Sequence, residues 1–509
     1  MIPELGTSLV LSSLFFAASG SVLGFWAGAQ HHVRAWTWAR RSAYAFAGLM
    51  IAANLLMVYA LVQHDFSVKY VAAVGSLDTP LTFTIVSLWS SLNGSILFWG
   101  AILAVYTIVF LAANGHRHRE YMPYTIGMVL AVSVFFALLV SSIANPFERM
   151  AVVPTDGPGP NPLLQNHWLM VVHPPTLYLG YVGMVIPYAM ICAALLAGRL
   201  EDGWMVPLRR WMLIPWTFLT VGIFMGGWWS YGVLGWGGYW AWDPVENASL
   251  HPWLTGTAFL HSAMLLQKRG GLRIWTLVLG MATFLLTLVG TFMTRSGVFN
   301  SVHSFTQSSI GPVFLVFIAV VLVFSVILLA VRESLLAEEP VKPTSTMHAV
   351  VGFEVNPTSR ELSILLQNIA FTVFTFMVLL GTLFPLITEA LQDKKVSVGE
   401  PYFDRWGLPL GLAIVFLMGV GPALPWGRAP ADRVQAKFTF PTVGGAVITG
   451  LFAAMGFNKP MVLLAIFVAG FAALANLGEF IEPLRARMAK KGESVVDAGQ
   501  AVFNRTRRR

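Results

Sequence analysis

Cysteine is almost missing from this 509-residue chain: the only one, Cys192, lies in the apolar run MICAALLAG. A lone cysteine has no partner for a disulfide or a CxxC redox pair, so the chain cannot itself perform dithiol chemistry. Cys192 reads as a small buried packing residue. Charge is scarce too. Asp, Glu, Lys and Arg make up 11% of the residues and hydrophobic ones 56%, whereas about a quarter of an ordinary soluble domain is charged. With a mean hydropathy of +0.69, such a soluble domain is excluded. The strand alternation of a membrane β-barrel is also missing.

What is present is a series of apolar runs of roughly 20 residues, the length that crosses a bilayer as a helix. They fall near 5–26, 42–62, 93–113, 122–143, 174–197, 211–227, 252–267, 274–294, 312–331, 364–387, 407–425, 440–456 and 460–481. The expected fold is all-α, a polytopic transmembrane helical bundle of about thirteen spans. Basic residues near span ends are retained in the cytoplasm, and 25 of the 32 Lys and Arg fall in one alternating set of connections plus the tail after 481. This puts the tail in the cytoplasm and the amino terminus outside. The leader MIPEL has no positive charge and contains Glu4, so the first span reads as a retained helix rather than a signal peptide. The net charge of +8 sits in short connections beside anionic lipid, and no nucleic-acid module is implied.

One stretch, WWSYGVLGWGGYWAWDPVENASLHPW at 228–253, reads as neither a span nor an ordinary loop. It gathers Trp228, Trp229, Tyr231, Trp236, Tyr239, Trp240, Trp242 and Trp253 without a Lys or Arg, and the charge alternation places it outside. Aromatic faces stack on a flat conjugated ligand, and paired glycines such as Gly237 and Gly238 let the backbone come close. Trp and Tyr also gather at membrane interfaces simply to anchor a bundle, so two readings stand.

Of the eleven histidines, His31, His32, His116, His118 and His348 fall in basic cytoplasmic connections and read as solvated, and His64 begins an outer loop without a companion motif. His173 precedes Pro174 and Pro175, which the first turn of a helix accepts, so it is expected at the outer boundary just before a span. His303 reaches the same side from 130 residues away. Two imidazoles flanking one apolar shelf would hold a haem iron on both faces, although boundary histidines also cap helices or bond interfacial water. His261 lies ten residues after His251, about 15 Å deeper along a helix, where ionisable groups are costly and usually functional; a bond to a neighbouring helix is the alternative. His251 and His167 are secondary candidates beside the platform. Arg295, on the sparsely basic outer face, either binds an anion or snorkels to headgroups. Asp243 and Glu246 tempt one toward acid–base chemistry, but DPVEN reads better as a helix start: Asp243 as cap, Pro244 next, Glu246 three residues after the cap.

The segment WGGYWAWDPVEN resembles the tryptophan-rich WWD signature of haem-handling membrane proteins of cytochrome c maturation. Together with NPLLQNHWLMVVHPPTLYLGYVG at 161–183, GTFMTRSGVFNSVHSF at 290–305 and MGVGPALPW at 418–426, it is similar to the CcmF haem lyase family over most of the chain. The resemblance implies a haem lyase component in the bacterial inner membrane. Haem would lie on an exterior platform of Trp228, Trp229, Trp236, Trp240 and Trp242, with Asp243 fixing the platform's helix start. His173 and His303 would be axial ligands, Arg295 would meet the propionates, and His261 would ligate a second, membrane-embedded haem b. Implied partners are a periplasmic haem chaperone, a thiol-reducing CxxC protein and apocytochrome c, whose CxxCH thiols receive the haem.

The chain departs from the family in one respect. No histidine follows His348, so the second haem b ligand and the spans that carry it are expected in a segment this sequence lacks, on a separate polypeptide or on a longer chain. The organisation expected is N-terminal transmembrane helices over 1–160, a haem-handling core over 161–310, further transmembrane helices over 311–481 and a basic tail over 482–509. Haem transport without ligation is the rival reading, but no aromatic or histidine cluster marks a path on the cytoplasmic side. An ion-coupled subunit would need ionisable residues deep in several spans, and the apolar runs hold almost none apart from His261.

Overall fold

The computed structural model describes residues 1–507 apart from 116–119, 166, 201–203, 234–237, 300, 302–309, 337–350 and 395. Its described residues form helices and loops with no strand beyond an isolated bridge between Val68 and Arg149. The principal helices are α1 (Ile2–Gln30), α2 (Val33–Val62), α3 (Leu92–Asn114), α4 (Met122–Ser141), α5 (Leu169–Gly183), α6 (Val185–Ala197), α7 (Met205–Val233) and α8 (Pro244–Arg269). They continue with α9 (Arg273–Arg295), α10 (Gly311–Val331), α11 (Arg360–Gln392), α12 (Glu400–Ala423), α13 (Ala431–Ala454), α14 (Pro460–Lys491) and α15 (Val495–Arg507). Twelve described helices, with α5 and α6 taken as one, are long and apolar enough to cross a membrane. The thirteenth expected run, 252–267, lies in α8, which has the length but also carries Asn247, His251 and His261 and is not among the twelve.

The chain divides into two compact units, residues 1–263 with 273–337, and residues 264–272 with 338–509. In the first, close packing is set by small residues, as expected where lipid removes most of the hydrophobic drive for helix association. A Cβ on Gly24 of α1 would stand 2.7 Å from Gly127 Cα of α4, and Ser21 donates to the Gly127 carbonyl at 2.9 Å. Trp99 of α3 stacks on Phe136 of α4 with centroids 3.5 Å apart. Hydroxyl pairs join α8 to α9, Ser262 with Thr276 at 2.7 Å and Thr283 with Thr255 at 3.1 Å. Cys192 is fully buried, as its apolar setting predicts.

In the second unit the buried Glu361 of α11 accepts from Arg269 and from the Gly427 amide at 3.0 Å. Arg360 donates to the carbonyls that end α12 and lies over the Trp426 ring. Much of α13 is exposed: only 11% of its most apolar stretch is buried, against 78% for α5 with α6.

Two boundaries differ from expectation. Helix α5 begins at Leu169, so His173, Pro174 and Pro175 lie inside it rather than at its start. The missing Pro174 amide would have bonded the Met170 carbonyl, and the Trp89 indole takes that acceptor at 3.2 Å. Helix α7 runs on to Val233, past the expected end at 227, so Trp228 and Trp229 stand on its last turns.

Candidate functional site

The site is built where α5 and α7 approach through glycines. A Cβ on Gly180 would stand 2.7 Å from the Leu219 amide, one on Gly222 would stand 2.7 Å from Leu177, and one on Gly226 would stand 2.8 Å from His173 Cε1. The close approach sets the histidine. His173 Nδ1 lies 2.9 Å from the Gly222 carbonyl. A carbonyl only accepts, so the proton sits on Nδ1 and Nε2 becomes the acceptor atom, the state an imidazole needs to bind a metal. Trp229 meets the ring edge to face at 5.6 Å.

His173, Trp229, Trp240, Glu246 and Arg295 line one cavity of about 230 Å³. Arg295, at the end of α9, donates to the Tyr178 hydroxyl at 2.7 Å, which faces the guanidinium against α5. The indole N–H groups of Trp99, Trp229 and Trp240 are buried without a hydrogen-bond partner in the protein. Buried donors are normally satisfied, and a ligand with acceptor groups would supply what these three lack. A flat apolar ring carrying a metal and anionic substituents fits this wall: aromatic faces, one oriented imidazole and one cation.

The DPVEN segment forms the helix start expected of it. Asp243 Oδ2 accepts from Val245 at 3.0 Å, and Glu246 Oε2 accepts from the Asp243 amide at 3.2 Å, a reciprocal capping box. Ser301 donates to the same Asp243 oxygen at 2.7 Å, bringing the chain two residues short of His303 to this corner. His303 and Trp236 themselves lie outside the described residues, as do His116, His118 and His348.

Other expected residues stand off the wall. Trp228 is 54% exposed and packs edge-on to Trp168; Trp242 packs edge-on to Trp240 at 6.0 Å. Trp253 donates to Thr220 while Trp216 donates to Thr257, so this pair fastens α7 to α8. His167 Nδ1 accepts from the Leu169 amide at the start of α5, and His32 caps α2 through the Ala35 amide. His251 and His261 are not among the described cavity-lining residues. The wall also contains residues that sequence reasoning missed, Trp89, Trp99, Tyr178 and Tyr181. Their available signal was the four-residue spacing of Gly222 and Gly226, which marks α7 as a close-packing helix and so points to its neighbours.

Fold and site together define a polytopic helical membrane protein with an aromatic-walled ligand cavity. Residues 89–300 match the family described as Cytochrome C assembly protein, a range that begins at the first tryptophan of the cavity wall. The chain is 37% identical to the cytochrome c-type biogenesis protein CcmF of Pseudomonas fluorescens, covering 96% of this chain and 73% of that one. It is 36% identical to CcmF of Escherichia coli over 86% of this chain and 65% of the relative. A solved structure described as Cytochrome c Heme Lyase CcmF superposes with a TM-score of 0.76 at 34% identity, covering 99% of this chain and 76% of that one. The chain belongs to the CcmF family of multi-pass bacterial membrane proteins, which act in cytochrome c maturation.

Proposed function

We propose that the chain is the haem lyase component of this maturation, holding haem as substrate in the aromatic cavity on the periplasmic side. The observation that carries the reading is the convergence of His173, Arg295, Trp229 and Trp240 on one wall. His173, oriented by the Gly222 carbonyl, is one axial ligand, and His303 is the other. Arg295, held by Tyr178, meets the propionates, while the platform tryptophans pack against the ring; Trp228 extends it toward the exterior. His261 is assigned to a second, embedded haem b.

Haem supplies two vinyl groups. Each CxxCH thiol of apocytochrome c adds across one of them: a C–S bond forms, the thiol hydrogen passes to the other vinyl carbon, and no net oxidation occurs. The chain's own contribution is to fix the ring so that the thiols meet the vinyl carbons as positioned groups rather than by bimolecular encounter. With Cys192 buried, the thiols must arrive reduced by a CxxC partner, and a periplasmic chaperone delivers the haem.

The test is a reduced-minus-oxidised visible spectrum of the purified chain beside the His173→Ala/His303→Ala double variant. A low-spin haem spectrum that the variant loses is expected. Haem retained unchanged in the variant overturns the outer bis-histidine assignment, and bound haem without thioether formation in a reconstituted assay supports transport instead.

A further inference from the structure

Trp242 has a left-handed backbone, φ 56°, a conformation that non-glycine residues hold only under constraint. The constraint is visible on both sides of it. Glu246 Oε2 accepts from the Ala241 amide at 2.8 Å and from the Asp243 amide at 3.2 Å, the two amides that flank Trp242. Asn247 Nδ2 donates to the Trp242 carbonyl at 3.0 Å. A capping box requires only the bond to the cap residue's amide; the bond to Ala241 reaches two residues further back and closes the turn. Trp240, immediately before that turn, lines the cavity and meets Trp242 edge to face at 88°. Glu246 is buried at the base of the same wall, on the first turn of a helix whose remainder is fastened to its neighbours.

We propose that Glu246, assisted by Asn247, is a positioning residue for the haem face of the Trp-rich segment: its carboxylate acts as a fixed acceptor that sets Trp240 and Trp242, not as an acid or base. This rests on the reading of the cavity as a haem site. A glutamine at 246 keeps an acceptor oxygen where the two amides point, whereas an alanine removes it and lets the left-handed turn relax. Acid–base chemistry would treat those two variants alike, and a positioning role separates them.

The experiment uses the full chain labelled with 5-fluorotryptophan and studied by ¹⁹F NMR without haem, with Trp240→Phe and Trp242→Phe identifying the two signals. Glu246→Ala is expected to shift both signals while leaving the other tryptophans in place, and Glu246→Gln to leave both near their wild-type positions. In haem binding, Glu246→Ala is expected to weaken retention about tenfold and Glu246→Gln by less than about threefold, the order of loss that follows from disordering one contact surface. Unmoved signals in Glu246→Ala overturn the proposal, as does a glutamine variant as impaired as the alanine one. Should Glu246→Ala fail to accumulate, Asn247→Leu removes the bond to the Trp242 carbonyl and must shift the Trp242 signal, or the clamp is refuted. Because the fluorine signals are read without ligand, a wild-type chain that binds no haem sinks the functional reading and leaves the clamp to be judged separately.

Discussion

His173 and His251 are both helical histidines of the same unit, and the structure treats them in opposite ways. His173 is half-buried on a cavity wall, with one nitrogen committed to the Gly222 carbonyl. His251 is fully buried, is not among the described lining residues of that cavity, and neither of its ring nitrogens has a hydrogen-bond partner in the protein. Burial alone therefore does not orient an imidazole. What distinguishes His173 is orientation: a carbonyl that fixes the tautomer, a glycine that leaves room for the ring, and a place on the cavity wall.

The sharpest way to break this contrast is to remove each imidazole in turn. His173→Ala is expected to abolish most haem retention, measured by pyridine haemochromogen content. His251→Leu is expected to retain haem and to raise thermal stability by about 1–3 kcal/mol, since it removes a buried polar ring that lacks partners. Equal haem loss in both variants would erase the distinction.

A finer probe leaves both histidines in place. In Gly226→Ala the new Cβ would lie 2.8 Å from His173 Cε1, too close unless the ring moves. Haem affinity should fall about tenfold, as expected from displacing a ligand by a fraction of an ångström, while the Gly232→Ala control, where a Cβ meets nothing, should match wild type in the same titration.

The smallest effect lies in a loop. The Asp156 carboxylate accepts the amide hydrogens of Leu77 and Gly157, at 2.9 and 2.8 Å, and these bonds hold its pKa below the usual value of 3.8. A lowered folded pKa means that the anchor is fully present above the unfolded value and is lost as pH falls through the folded one. Hydrogen exchange at Leu77, corrected for intrinsic rates, should be insensitive to pH from neutrality down to about 4 and accelerate only below it. Acceleration already between pH 7 and 5 would show that another group secures the loop.

The sequence made the helices legible and much of their assembly illegible. Apolar runs located the long helices among the described residues, because a bilayer imposes a minimum apolar length on each. The ends of α5 and α7 were misplaced because tertiary contacts decide them. Inside α5 the Met170 carbonyl that Pro174 leaves unpaired is satisfied by Trp89, more than eighty residues away, and no local pattern announces that. In the site, the motif residues His173, Arg295, Trp229 and Trp240 were readable because their types are unusual beside an apolar span. Trp99 was not, since an indole in a hydrophobic run looks like any other packing residue until a cavity is found beside it. Helix α10 marks the same limit: its mean hydropathy of 3.4 exceeds the 2.0 of α5 with α6, yet only 22% of its most apolar stretch is buried, against 78%.

The seclusion of Cys192 has a practical and a chemical consequence. This sequence holds no other sulfhydryl that could capture a thiol-bearing polypeptide as a mixed disulfide. The same seclusion makes the chain a nearly silent background for site-directed labelling. Single cysteines placed at the exposed aromatics Trp168, Trp228 or Tyr239 would report by crosslinking whether a visiting polypeptide passes there.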